Sequence, residues 1–192
     1  SCDSLKAIAV AFTGIDHVGL AACREKKIDI LNCAGYSNQS VAELSVGMAI
    51  AVMRKIQEGD FAVRNGKTSA GLVGTEICGR TVVIVGCGQI GFKTARLFHA
   101  FGAEVLAYAR HEKEEWKEAG IRYADMDTLL KESDIVSLHL PLNEGTKGFF
   151  DGTMIGKMKK DAILINCARG PIVDNAALAE ALNEDKIAGA AI

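Results

Sequence analysis

Residues 86–91, Gly-Cys-Gly-Gln-Ile-Gly, have the spacing of a turn that cradles an anion. Each glycine has its own task in such a turn. Gly86 permits a tight bend, Gly88 lets main chain approach a diphosphate, and Gly91 lets a helix pack closely on the preceding strand. The anion would rest on unbonded N–H groups at the helix start, where the peptide dipoles favour negative charge. A second candidate is Arg169, in Asn166-Cys167-Ala168-Arg169-Gly170, directly after an apolar run. Its planar fork can bind a carboxylate with two hydrogen bonds and polarise an adjacent carbonyl. An arginine taken alone is more often a solvated ion-pair partner. Position just past a strand of a nucleotide-binding unit is what singles this one out.

The glycine spacing carries weight only between a strand and a helix, and the flanking residues supply both. Val82–Val85 predicts a strand running into the turn. Ala95, Leu97, Phe98 and Phe101 mark the inward side of a helix that Gly102 stops, and Val105–Tyr108 predicts a second strand ending at Ala109 and Arg110. Beyond it the pattern predicts a charged helix over 112–120, a short strand at 121–123, and a small helix capped by Asp125. A strand over 134–141, a short helix at 154–158 and a strand over 162–168 follow. Asp174 is placed to cap a helix over 175–184, and a last strand begins at 187. Strands alternating with helices predict an α/β fold: a doubly wound parallel sheet of Rossmann type that binds its ligand at the carboxyl ends of the strands. The loops after Val85, Tyr108, Leu140 and Ala168 should converge on one cleft.

Upstream, residues 7–12 and 28–31 predict two strands around a helix at about 18–26, closed by a loop over 32–36. Ser40-Val41-Ala42-Glu43 has the form of a capping box. The helix it opens is expected to reach Glu58, with Gly59 as its stop. Its stretch 46–53, VGMAIAVM, carries no charge, so such a helix must be buried in the domain or against another subunit. Residues 60–80 predict a connection with little regular structure.

The bulk properties narrow the function classes. About half of the 192 residues are apolar, enough for a sizeable core, and 22 basic against 24 acidic residues leave a net charge of −2. That balance argues against nucleic-acid or membrane-surface partners. No apolar run reaches the ~18 residues of a membrane span, and the first residues, SCDSLK, lack a secretory pattern. The six cysteines form no C-x-x-C pair and no metal-ligand spacing. A reducing cytoplasm, with no bound metal, is therefore expected.

Several separate stretches resemble the D-isomer-specific 2-hydroxyacid dehydrogenase family. They are Gly74-Thr75-Glu76-Ile77-Cys78-Gly79, the GCGQIG turn, Asp134 to Leu142 (DIVSLHLPL), Asn166 to Gly170, Ala177 to Leu182 (ALAEAL) and Gly189-Ala190-Ala191. Thr13 to His17 (TGIDH) and Ser40 to Leu44 (SVAEL) resemble the family's hinge region. The resemblance implies that residues 1–36 are the C-terminal part of a flavodoxin-like substrate domain. Residues 37–192 would be the dinucleotide-binding domain, incomplete at its C-terminal end. It implies that Arg169 is the catalytic arginine, holding the carboxylate and keto oxygen, and that backbone N–H groups near Thr13 and Gly14 bind the same carboxylate. Gln89 and Ile90 would offer backbone, and Thr146 its hydroxyl, to the pyrophosphate. His139, Pro141, Cys167 and Ala168 would line the nicotinamide and ribose side. The implied reaction is hydride exchange between NAD(P) and a small 2-keto or D-2-hydroxy acid, such as glyoxylate or hydroxypyruvate, in a homodimer.

Two departures from the family pattern matter. The acidic residue expected at the end of the second strand, partner of the ribose 2′-OH, is replaced by Ala109, followed by Arg110 and His111 with Lys113 close by. Loss of the carboxylate removes repulsion of a 2′-phosphate, and Arg110 supplies a cation, so NADP is favoured over NAD. The family's proton-transferring His and its Glu have no counterpart among His17, His99, His111 and His139. The chain is thus expected to be an internal segment of a longer enzyme, by itself inactive. Two other functions share this fold: a dinucleotide-sensing binding protein, as in the family's co-repressors, and a formate or phosphite dehydrogenase.

Overall fold

A computed structural model describes residues 4–192, so Cys2 and the start of the amino-terminal stretch lie outside the described residues. The chain divides into two compact units, one ending at Gln39 and one spanning Ser40–Ile192. In the first, strands β1 (Ala7–Val10) and β2 (Asp29–Asn32) pair in parallel with Ala7 opposite Asp29, joined through helix α1 (Leu20–Glu25). This is the strand–helix–strand unit that the apolar runs predict.

The second unit is built on β3 (Thr81–Val85), β4 (Glu104–Tyr108), β5 (Arg122–Tyr123), β6 (Ile135–Leu138), β7 (Ile163–Asn166) and β8 (Gly189–Ala191). All pair in parallel, in the spatial order β5-β4-β3-β6-β7-β8. The chain starts in the middle, winds outward to β5, then crosses back to build β6 to β8. The order therefore reverses between β3 and β6, where open α/β sheets bind their ligands.

Alternation along β3 divides the core. Val83 and Val85 join Leu129 and Leu130 of α6 (Met126–Glu132), Ile155 of α7 (Gly152–Ile155), and Leu178 and Ala181 of α8 (Asn175–Asn183). Val82 and Ile84 face the other way, toward Val46 and Ala49 of α2 (Asn38–Met53), Ala95 and Phe98 of α4 (Gln89–Ala100), and Trp116 of α5 (Glu114–Glu118). Helices thus cover both faces, which is why β3, β6 and β7 read as unbroken apolar runs. Asp125, Asp151 and Asp174 cap α6, α7 and α8, each carboxylate accepting from N–H groups of the first turn.

Four expectations need correction. Ser40 lies inside α2 rather than at its cap, and the helix ends at Met53. Lys55 adopts a left-handed conformation (φ 51°), and α3 (Ile56–Arg64) then runs through Gly59 without stopping. A crossing segment accounts for the break. Thr75 N–H donates to Met53 O at 3.0 Å, and a side chain at Gly74 would lie 2.4 Å from that same oxygen. Regular structure thus extends to residue 64, and the irregular connection covers 65–80. Burial of α2 is one-sided. Ala42, Ser45, Val46 and Ala49 form the covered stripe, while Leu44 is exposed. On α4, Phe98 and Ala95 are buried as expected, but Phe101 is the helix cap and half exposed.

Candidate active site

The parallel register aligns the strand ends. Tyr108 pairs with Val85, Val85 with Leu138, and Leu138 with Asn166. The residues that follow, Ala109, Gly86, His139 and Cys167, therefore leave the sheet along one edge, about 5 Å apart from strand to strand. This is the convergence of loops expected from the sequence.

The glycine turn is fixed from both sides. Gly86 has φ 109°, donates its N–H to Tyr108 O at 3.1 Å, and sits so close to β6 that a Cβ would lie 2.6 Å from His139 O. At Gly91 a Cβ would lie 2.2 Å from Gly86 O. These two glycines serve the fold, by tight turning and by close helix–strand contact. Gly88 differs: a Cβ there would meet nothing within 4 Å. It heads α4, which has no side-chain cap, and both Gly88 and Gln89 are exposed while Ile90 is half-buried. Open space in front of uncapped N–H groups at a twelve-residue helix fits the diphosphate of a dinucleotide.

His139 follows β6 on the same edge. Its Nε2 lies 2.9 Å from the buried Ser137 hydroxyl, and burial pushes its pKa down to about 4. The ring is therefore neutral at physiological pH and acts as a hydrogen-bonding wall rather than a cation. Pro141 is exposed at the start of the next loop. The Thr146 hydroxyl donates to Pro141 O at 2.6 Å and accepts from Asn143 N–H at 2.9 Å. The Thr146 hydroxyl thus helps to close the 141–146 loop.

Past β7, Cys167, Ala168 and Arg169 are half-buried. Cys167 Sγ lies 3.8 Å from Met48 Sδ on α2, and burial raises its pKa. The Arg169 Nη1 donates to Ala168 O at 2.9 Å, which folds the side chain back over its own loop. Sequence reasoning gave Asn166 no role of its own, yet it is buried and holds this loop from both ends. Its Nδ2 donates to Arg169 O at 2.9 Å and its Oδ1 accepts from Ala168 N–H at 3.1 Å. An Asn at the start of a turn that ends in Gly170-Pro171 is the available sequence signal.

At the other end of the edge, Ala109 packs on the core while Arg110 is exposed and has no hydrogen bond or ion pair among the described residues. Thr13 and Gly14 belong to the first unit. There the Thr13 hydroxyl donates to Cys33 O at 3.3 Å, and Thr13 O accepts from Asn32 Nδ2 at 2.7 Å. Among the described residues no group of His, Cys, Asp and Glu could hold a metal ion.

Comparison with known proteins agrees with this geometry. The family model described as "D-isomer specific 2-hydroxyacid dehydrogenase, NAD binding domain" matches residues 46–192. A glyoxylate reductase of Thermofilum pendens is 39% identical over 98% of the chain and 58% of its own length. A hydroxypyruvate reductase of Thermotoga maritima is 38% identical over 98% of the chain and 61% of its own. The chain thus spans about three fifths of the curated relatives it matches. Among solved structures, a D-lactate dehydrogenase from Aquifex aeolicus, complexed with NAD and lactic acid, is 34% identical. It superposes with a TM-score of 0.90 over 97% of this chain and 56% of its own. With its glycine turn, reversed strand order and matched NAD-binding domain, the chain belongs to the D-isomer-specific 2-hydroxyacid dehydrogenase family.

Proposed function

We propose that the protein is part of an oxidoreductase that interconverts a small 2-keto acid, such as glyoxylate or hydroxypyruvate, and its D-2-hydroxy acid. The observation that carries this is the common edge. The anion-ready turn at Gly86–Gly91 and the arginine loop at 166–169 leave the same edge of one sheet, after β3 and β7 with β6 between them, across the point where strand order reverses. A nicotinamide cofactor, when bound, supplies or accepts the hydride. The chain's own residues do the rest. Gly88, Gln89 and Ile90 present backbone to the diphosphate, while His139, Pro141, Cys167 and Ala168 form the wall of the pocket. Arg169 holds the substrate carboxylate and stabilises charge that grows on the keto oxygen. Thr13 and Gly14 offer backbone N–H groups to the substrate carboxylate.

NADP(H) is the preferred cofactor in this reading. Ala109 leaves no carboxylate to repel a 2′-phosphate, and the unpaired Arg110 beside it is available to bind one. Residues 1–36 are taken as part of the substrate domain and 37–192 as the cofactor domain. The partners are a small acid and a second copy of the protein, with no nucleic acid and no membrane. Exposed Leu44, Ile56, Phe61 and Val63 on α2 and α3 supply apolar surface for a homodimer. A clean monomer in light scattering would count against it. The five described cysteines are free thiols, in keeping with a cytoplasmic protein, and no helix among the described residues is long and apolar enough to cross a membrane. The direct test titrates NADPH and NADH into the full-length enzyme and screens 2-keto acids for loss of nicotinamide absorbance. Saturable cofactor binding with oxidation by glyoxylate or hydroxypyruvate is expected. Absence of any dinucleotide binding would overturn the reading.

A further inference from the structure

Opposite the arginine loop, hydrogen bonds clasp segments of the cofactor edge. Lys113 N–H donates to the Tyr123 hydroxyl at 3.2 Å. On the glycine turn nearby, Cys87 Sγ donates to Tyr108 O at 3.7 Å. Tyr108 O in turn accepts from Gly86 N–H. The glycine turn is thus tied to the end of β4 through one thiol and one N–H, and the 109–113 loop is tied to β5 through one phenol.

The clasp is built to stay in place. The Tyr123 ring packs on Trp116 with centroids 6.2 Å apart, and Trp116 packs on Phe92 of α4 at 5.3 Å. Trp116 is fully buried, and its indole N–H has no partner among the described residues, so packing alone holds it as the platform for Tyr123. Burial pushes the Cys87 thiol up to about 11 and the Tyr123 phenol up to about 12, so both keep their protons at neutral pH. Arg110, by contrast, has no anchor of its own. Its position depends on the loop between Tyr108, fixed in β4, and Lys113, fixed by Tyr123.

We infer that Tyr123 is a positioning residue for cofactor choice: by holding the Lys113 backbone at the end of β5 it pre-sets the loop that aims Arg110 at the ribose 2′ substituent. The inference rests on the proposed role of Arg110 toward a 2′-phosphate. Tyr123→Phe keeps the ring on Trp116 and removes only the hydroxyl.

The experiment measures NADPH and NADH dissociation constants for the full-length protein carrying Tyr123→Phe, Arg110→Ala, or both. A hydrogen bond's net contribution predicts a loss of NADPH affinity of about two- to tenfold in Tyr123→Phe, with NADH affinity nearly level. The double variant should bind NADPH no more weakly than Arg110→Ala alone, because the two act through one contact. Equal losses for both cofactors in Tyr123→Phe, or fully additive losses in the double variant, would overturn the inference. If Arg110→Ala lowers NADPH affinity selectively and Tyr123→Phe does not, Tyr123 has no such role while the reading of Arg110 stands. If Arg110→Ala leaves the ratio of the two affinities unchanged, the role of Arg110 falls, and that of Tyr123 with it.

Discussion

Asn166 brackets Arg169: one side-chain amide donates to Arg169 O at 2.9 Å and accepts from Ala168 N–H at 3.1 Å, so a single buried residue sets the path of the arginine loop. Asn166 ends β7 in register with Leu138, which ties that path to the sheet rather than to solvent. Asn166→Ala leaves a donor and an acceptor of the loop without partners in a part-buried place, at a cost of about 1–3 kcal/mol. Asn166→Asp restores the acceptor for Ala168 N–H but not the donor. Thermal unfolding should therefore rank wild type above Asp and Asp above Ala. In the full-length enzyme, turnover should fall in both variants while cofactor affinity changes little. Unchanged turnover in Asn166→Ala would remove the positioning role.

Arg169 itself should behave as a group acting on the substrate rather than on the cofactor. In the full-length enzyme Arg169→Ala is expected to cut kcat/KM by at least about 100-fold, in line with losing a charged group that stabilises the oxyanion. Arg169→Lys should recover little, because an ammonium cannot reproduce a two-pronged grip on a carboxylate. The dissociation constant for NADPH, read in a parallel titration, should stay within about twofold, a change below ~0.4 kcal/mol. A comparable loss of cofactor affinity would move Arg169 from the substrate to the nucleotide.

How much of this was legible depended on whether the deciding interaction was local. Val82–Val85, the glycine turn and Val105–Tyr108 declare themselves because a buried parallel strand is apolar throughout and its turn needs glycine. The aspartate caps at 125 and 174 are equally local. The break at Arg54–Lys55 was not legible, since it follows from Gly74 and Thr75 crossing Met53 O, a contact made across twenty residues of intervening chain. Thr146 shows the same limit within the site. Its type suits an anion partner, but its bonds to Pro141 O and from Asn143 N–H follow from the fold of the loop. Asn166 and Tyr123 were missed as positioning groups because their partners are backbone atoms, which leave no mark on residue type.

The three glycines of the turn should separate by readout. A Cβ at Gly91 would press within 2.2 Å of Gly86 O, backbone that cannot move without opening β3 from α4. Gly91→Ala is therefore expected to lower stability by several kcal/mol, about the range of overpacked cores and above. Gly88→Ala meets nothing within 4 Å, so its unfolding temperature should stay close to wild type. The same methyl would occupy the space assigned to the diphosphate, and dinucleotide affinity should drop by at least about tenfold, or ~1.4 kcal/mol. Gly88→Ala binding as tightly as wild type would place the diphosphate elsewhere.

Acid sensitivity should carry the signature of His139. Its folded pKa, depressed to about 4 by burial, lies below the ordinary value of about 6.5 expected in the unfolded chain. As pH falls through that interval the unfolded state takes up a proton that the folded state refuses. The associated stability is fully present above about pH 6.5, declines toward about pH 4, and changes no further below it. The slope from one such group approaches about 1.4 kcal/mol per pH unit within the interval. Asp125 adds to acid sensitivity in a separate, lower window, because hydrogen bonds from Thr128 hold its carboxyl below the usual range. Urea midpoints measured across pH 4–7.5 on wild type and His139→Gln isolate the His139 contribution, since the Asp125 window lies below that range. The glutamine variant keeps a polar side chain that can bond Ser137, so most of the slope between about pH 6.5 and 4 should vanish with it. The same slope in both proteins would mean that His139 titrates freely in the folded state, and that the wall of the cofactor edge is wetter than its packing implies.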